Sequence, residues 1–213
     1  MTLAWQEPLS AWSASRQQDE LSAELREAES AALAAPASFA VDRGNETSTA
    51  ALFAQRQRRN TDAGEALGRV RIPSLGVKYV FVEGAHPGQL EKGPGHYAGT
   101  ALPGEHGTVG VAGHRTTYLA PFRDLDALRR GDAIVLQMPY GRFRYEVEGS
   151  IVVSPSNTRS LRRVNHDRLV LTTCHPKFSA AKRLVVTASL ESSRLRANIS
   201  GGRRDANRRP QRR

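Results

Sequence analysis

Arg168-Leu169-Val170-Leu171-Thr172-Thr173-Cys174-His175-Pro176 decides how the rest of the chain is read, because it delivers the only cysteine of 213 residues at the end of a strand. Leu169, Val170 and Leu171 are a short apolar run of high β propensity. Pro176 cannot donate a ladder hydrogen bond, so the strand is predicted to stop there. Cys174 then sits at a strand's mouth, stiffly held and open to a substrate. A lone cysteine is more often a small core hydrophobe. Here the flanks are hydroxyl and imidazole residues, and Lys177, Lys182 and Arg183 follow, a cationic setting that favours thiolate over thiol. The setting matters because an ordinary thiol, with a pKa of about 8.5, is only a few per cent ionised at neutral pH.

Outward from this strand, Arg183 to Leu190 reads as the next one. Upstream, Thr108-Val109-Gly110-Val111-Ala112-Gly113 is a small-residue strand that ends at His114. Ala133 to Met138 and Arg142 to Val153 flank the turn Pro139-Tyr140-Gly141 as a hairpin. Arg69 to Pro73 alternates polar and apolar, and Val77 to Val82 follows beyond a turn at Ser74 to Gly76. Gly84 to Gly107 is dense in turn formers and reads as loops, and Leu119 to Leu128 as a short helix. Seven or eight short strands in roughly 130 residues, with little helix, predict an all-β, closed or nearly closed barrel.

Four regions are expected: a helical stalk over residues 1–33, a flexible linker over 34–64, the barrel over 65–193, and an arginine-rich disordered tail over 194–213. In the stalk, Leu21 and Leu25 make a stripe too narrow to build a core. The net charge of +10 is mostly tail: from Arg194 onward eight arginines face one acid, Asp205. That tail lacks interleaved aromatics and no reader fold precedes it, so nucleic acid is not the expected partner. Anionic lipid headgroups or wall polymers fit its charge better. One cysteine excludes an internal disulfide and a cysteine-rich zinc site. No run of eighteen apolar residues is present, and Met1 to Trp5 is too short for a signal-peptide core.

Three polar residues stand at strand ends: His114, Cys174 and Arg183. A thiol that attacks a carbonyl, an imidazole that carries the proton to a leaving amine, and a guanidinium that holds the developing oxyanion make a complete acyl-transfer set. His175 adjoins the cysteine, but successive strand side chains point to opposite faces, so it is expected to look away unless the strand has already bent, and His114 stands as the other candidate base. His86, His96 and His106 lie in turn-rich sequence and are expected to be solvated, and His166 precedes a strand. No His-x-x-x-His spacing occurs, and neither metal nor cofactor is expected. Tyr118, on the loop after His114, and Thr173, beside Cys174, are weaker substrate-binding candidates.

The run Val170-Leu171-Thr172-Thr173-Cys174, with Arg183 nine positions on and Gly113-His114-Arg115 upstream, resembles the sortase family. The longer runs Val111 to Tyr118, Pro121 to Leu125 and Leu171 to Lys177 resemble class E sortases of high-GC Gram-positive bacteria. The resemblance covers roughly Gly68 to Leu190. It implies an eight-stranded sortase barrel and a cysteine transpeptidase at the outer face of the membrane. Cys174 would cleave the Thr-Gly bond of a C-terminal sorting signal of the Leu-Ala-x-Thr-Gly or Leu-Pro-x-Thr-Gly type and hold the protein as a thioester. His114 would serve as acid and base, and Arg183 would hold substrate and oxyanion. The acceptor would be a peptidoglycan-precursor amine.

Val170 stands where the family's strand motif opens on threonine. It keeps the β-branched shape, so little catalytic effect is expected. Such sortases carry a membrane anchor just upstream of a stretch like Trp5-Gln6-Glu7-Pro8, so this chain is expected to be truncated or to start late, with Leu3-Ala4 the anchor's remnant. Two other readings compete: a peptide hydrolase with the same Cys-His pair, and a non-catalytic barrel that binds anionic surfaces through its tail.

Overall fold

The computed structural model describes residues 6–34 and 46–196. Three helices, α1 (Gln6–Ala34), α2 (Glu46–Arg59) and α3 (Pro87–Lys92), accompany eight strands. The strands are β1 (Ala66–Ile72), β2 (Val77–Glu83), β3 (Gly95–His96), β4 (Thr108–Ala112), β5 (Ala133–Met138), β6 (Gly141–Val153), β7 (Arg168–His175) and β8 (Lys182–Leu195). They close into a barrel in the order β1-β2-β3-β4-β7-β8-β6-β5. The fold is a mixed barrel: β4 runs parallel to β7 and β2 parallel to β3, while the other neighbours are antiparallel.

Alternation builds the wall. In β1, Val70 and Ile72 enter the core while Arg69 and Arg71 point away. Pro73 opens a single tight turn that ends at Gly76, whose φ of 66° is a left-handed value glycine adopts without cost, and the chain reverses into β2. Leu169 and Leu171 of β7 and Leu184, Val186 and Ala188 of β8 fill the same interior. The short β3 completes the circle. A Cβ on Gly95 would collide with the carbonyl of Gly84, so only glycine lets the chain come this close.

β3 also corrects the expectation for His96. Although embedded in turn formers, this residue is fully buried, at 0% exposure. β3 is paired on both sides, so its side chain has no route to water. Its Nδ1 faces Glu83 Oε2 at 2.8 Å, and Nε2 faces the Ala101 carbonyl at 3.0 Å and Thr100 Oγ1 at 2.9 Å. The burial is tolerated because each ring nitrogen has a partner. His86 and His106 are exposed as expected, His166 is exposed just ahead of β7, and His106 pairs with Asp167 at 3.2 Å.

The helix expected near the N-terminus is α1, but it lies on the barrel instead of standing off it. Leu21 and Leu25 are buried against Ala66, Val80 and Val82 on the outer side of β1 and β2. β3 reaches only Val82 and Glu83, which leaves the edge of β2 open at Val80. The Gln18 amide closes that edge: it accepts from Val80 N at 2.8 Å and donates to Val80 O at 3.0 Å. Glu24 Oε1 accepts from Ala66 N at 2.9 Å. Leu25→Ala should therefore lower the unfolding free energy by about 2 to 3 kcal/mol, read from urea or thermal melts, whereas a free stalk would tolerate it without change.

The stretch over 34–64 was expected to be linker, yet 46–59 of it is helix α2. Ala54 is fully buried, Phe53 stacks on Tyr140 with ring centroids 6.3 Å apart, and Arg58 pairs with Glu105 at 2.6 Å. The buried positions of this face are Thr49, Ala50 and Ala54, with Phe53 partly buried beside them, so small and polar residues mask its hydrophobic period. Residues 119–128 form a succession of turns, with one 3-10 turn at Leu125–Ala127, in place of the expected helix. The linker's remainder over 35–45, the anchor remnant and the tail beyond Arg196 lie outside the described residues.

Candidate active site

Two ladders bring the three expected residues to one end of adjacent strands. The parallel β4–β7 ladder pairs Ala112 with Thr172, and Gly113 N continues it by donating to Thr172 O at 3.0 Å. His114 and Cys174 each lie two residues beyond that pair. The antiparallel β7–β8 ladder sets Cys174 opposite Arg183. Alternation completes the arrangement: Leu169 and Leu171 point into the core, so Thr172 and Cys174 share the opposite, outward face. Cys174 is a free thiol, half-buried. The site thus lies on the outer surface at the ends of β4, β7 and β8, not in the interior of the barrel.

Glycines in and just after β4 let neighbouring elements pack close beside the site. A Cβ on Gly110 would meet Leu161 at 2.8 Å and Tyr97 at 3.0 Å, so the loop between β6 and β7 packs directly onto the strand. That loop is tied down by Arg168, which donates to Ser160 O at 2.8 Å and to Thr108 Oγ1 at 3.0 Å. Tyr97 OH lies 2.8 Å from Thr172 Oγ1. A Cβ on Gly113 would strike the Phe122 ring at 2.5 Å, so glycine is what lets the chain turn towards His114 here. Thr173, a weak candidate for substrate contact, is 2% exposed and donates to Gly113 O at 2.8 Å. It is a brace between the two strands and has no free hydroxyl to offer a ligand.

His114 is half-buried, and its Nε2 is buried without a hydrogen-bond partner. Burial pushes its pKa below the ordinary value because the charged ring loses water, and the charge of Glu91 acts in the opposite sense. Tyr118 packs on the imidazole with ring centroids 5.0 Å apart. Arg183 is only partly in place: its guanidinium donates to Ala180 O at 3.0 Å and Lys182 O at 3.1 Å, on the loop between β7 and β8. Phe178 on that loop is 76% exposed with a φ of 65°.

Arg115 is the residue that reading the chain did not single out. It is 2% exposed, yet it reaches four partners: Arg123 O at 3.2 Å, Cys174 O at 3.2 Å, His175 Nδ1 at 2.8 Å and Asp126 Oδ2 at 2.6 Å. One guanidinium thus joins the residue after His114 to the backbone of Cys174. It also accounts for His175, whose ring is engaged with Arg115. A thiol, an imidazole whose Nε2 has no hydrogen-bond partner among the described residues and a guanidinium held by two backbone carbonyls, all at the ends of adjacent strands, are suited to covalent acyl transfer.

Comparison with known proteins agrees with this geometry. The model of the Sortase domain matches residues 70–191. Sortase D of Bacillus subtilis is 37% identical over 131 residues, covering 59% of this chain and 64% of that protein. Sortase SrtE1 of Streptomyces coelicolor is 34% identical over 161 residues, covering 68% of this chain and 45% of that one. The chain therefore spans less than two thirds of the length of these curated relatives. Among solved structures, a Clostridium perfringens sortase D5 transpeptidase superposes with a TM-score of 0.60 at 30% identity, over 66% of this chain and 88% of its own. Sortase E1 of Streptomyces coelicolor, solved with a tripeptide in the active site, gives 0.58 at 31% identity, over 62% and 91%. The closed eight-stranded barrel and the match over residues 70–191 place this chain in the sortase family.

Proposed function

We propose that this chain is a cysteine transpeptidase of the class E kind, acting outside the cytoplasm on C-terminal sorting signals. The ladder register, which sets His114, Cys174 and Arg183 at one end of three adjacent strands, supports this most directly. The Cys174 thiolate attacks the carbonyl of the signal's threonine. The carbon–nitrogen bond to glycine breaks, the His114 imidazolium gives its proton to the departing amine, and a thioester remains on Cys174. An incoming wall-precursor amine then attacks the thioester, His114 takes its proton, and the thiolate leaves. Arg183, opposite Cys174, exchanges its loop carbonyls for the peptide and the oxyanion.

The class E assignment draws on the similarity to the Streptomyces coelicolor protein over 68% of the chain, and the preference for Leu-Ala-x-Thr-Gly over Leu-Pro-x-Thr-Gly is what the motif resemblance to that class implies. The arginine-rich tail suits anionic lipid or wall polymer at the same surface. Incubation with both peptides and an oligoglycine or diaminopimelate-type amine tests the function. A ligated product is expected, formed faster from the alanine peptide. Cleavage with only the free acid as product would identify a hydrolase.

Arg183→Lys should lower kcat/KM by about tenfold or more, because an ammonium cannot present the planar fork to an oxyanion and a backbone carbonyl together. Steady-state kinetics on the preferred peptide measures it, and near-normal turnover would remove Arg183 from the oxyanion role.

A further inference from the structure

The loop after β4 holds three successive non-glycine residues in the left-handed region: Tyr118 at φ 49°, Leu119 at φ 65° and Ala120 at φ 45°. A single such residue is uncommon, and a run of three persists only where surrounding contacts enforce it. Ala120 N donates to Thr117 O at 2.8 Å, Phe122 N to His114 O at 3.1 Å, and Tyr79 OH to Leu119 O at 3.5 Å. What the tight fold achieves is to return Tyr118 over the residue the loop starts from. Its ring lies 5.0 Å from the His114 ring, tilted by 35°, while its hydroxyl donates to Glu91 Oε1 at 3.2 Å.

We propose that Glu91 is a positioning residue for His114, acting through the hydroxyl and ring of Tyr118, a role that presupposes His114 as the acid and base of the site. A phenol that donates to a carboxylate has a more electron-rich ring, and that ring holds an imidazolium better than a neutral imidazole. The carboxylate is itself fixed by scaffold: Lys92, the next residue of α3, accepts from Gln18 Nε2 at 2.7 Å through its carbonyl and donates to Gly64 O at 3.1 Å through its ammonium. The N-terminal helix therefore braces the element that carries Glu91.

The other groups around the site do not supply this charge. Cys174 comes from β7, Arg183 from β8, Tyr79 from β2 and Arg115 from the loop itself. The nearby carboxylates of Asp124 and Asp126 are paired with Lys177 and Arg115, each at 2.6 Å. Glu91 has no cationic partner within ion-pair distance among the described residues. Its charge also opposes the effect of burial on His114. The imidazolium is the form needed when the amine departs, so a carboxylate acting across a phenol favours the required state without taking up Nε2, which has no hydrogen-bond partner among the described residues.

The test is an NMR titration of the histidine rings in the full chain carrying Cys174→Ala, with His114 assigned by its loss in His114→Gln. Glu91→Gln should move the His114 midpoint to lower pH by at least about half a pH unit. Tyr118→Phe should move it the same way by less. In the enzyme with its thiol, Glu91→Gln should lower kcat about tenfold with KM nearly unchanged. An unmoved midpoint in Glu91→Gln overturns the proposal, as does a parent-like midpoint in Tyr118→Phe. If His114→Ala retained turnover, the assignment of the base would fail instead, whatever Glu91 does.

Discussion

Cys174→Ala and His114→Ala should each reduce thioester formation and ligation by at least about a thousandfold, and the double variant should be scarcely worse than either. The reason is chemical. Alanine offers no nucleophile, and without an imidazole the departing amine leaves as an unprotonated anion. Residues that act as one unit fail together, so their losses do not add. Both side chains are half-buried at strand ends on the outer surface, so folding should survive and the comparison remains one of chemistry. Peptide cleavage measured by chromatography, beside circular dichroism of each variant, is the check. Turnover above a hundredth of the parent in Cys174→Ala would exclude the thioester route.

Arg115→Lys should produce the second large loss. A guanidinium presents five donors in a plane and here engages two carbonyls, a ring nitrogen and a carboxylate. Lysine has one nitrogen and cannot span them, so the Cys174 and Arg123 carbonyls lose their donor in a buried place. Stability should fall by about 2 to 3 kcal/mol. kcat/KM should fall by about ten- to a hundredfold, because the spacing between the loop of His114 and the strand of Cys174 is no longer set. Asp126→Asn should be mild by comparison, since its carboxylate is nearly half exposed and that single pair is weakened by solvent. Parent-like kinetics in Arg115→Lys would show that the link to Cys174 is dispensable.

The barrel strands were readable because period-two alternation survives in Arg69 to Ile72 and in the first half of β6, and because Leu169 to Leu171 is a short unbroken apolar run. The ends of those strands carried the site, so His114, Cys174 and Arg183 could be chosen before their distances were known. What escaped depends on contacts distant in the chain. α2 meets the barrel through Phe53 and through Ala50 and Ala54, whose side chains are too small to mark a face, and a Cβ on Gly104 would meet Ala50 at 2.8 Å. His96 is buried because a two-residue strand bridges β2 and β4, a pairing no local pattern announces. Arg115 has the composition of a surface residue and becomes internal only when Cys174, Arg123 and Asp126 converge on it. Thr173 shows the converse: its sequence position suggested substrate, and its hydroxyl is occupied by Gly113.

The central claim is that Cys174 carries the acyl group between donor and acceptor, and intact-mass spectrometry of the enzyme mixed with a Leu-Ala-x-Thr-Gly peptide tests it most directly. An adduct equal to the peptide up to its threonine should appear, map to residue 174, and disappear on adding an oligoglycine or diaminopimelate-type amine as the ligated product forms. Cleavage without any adduct under acid quench, or an adduct that maps to another residue, would contradict the account.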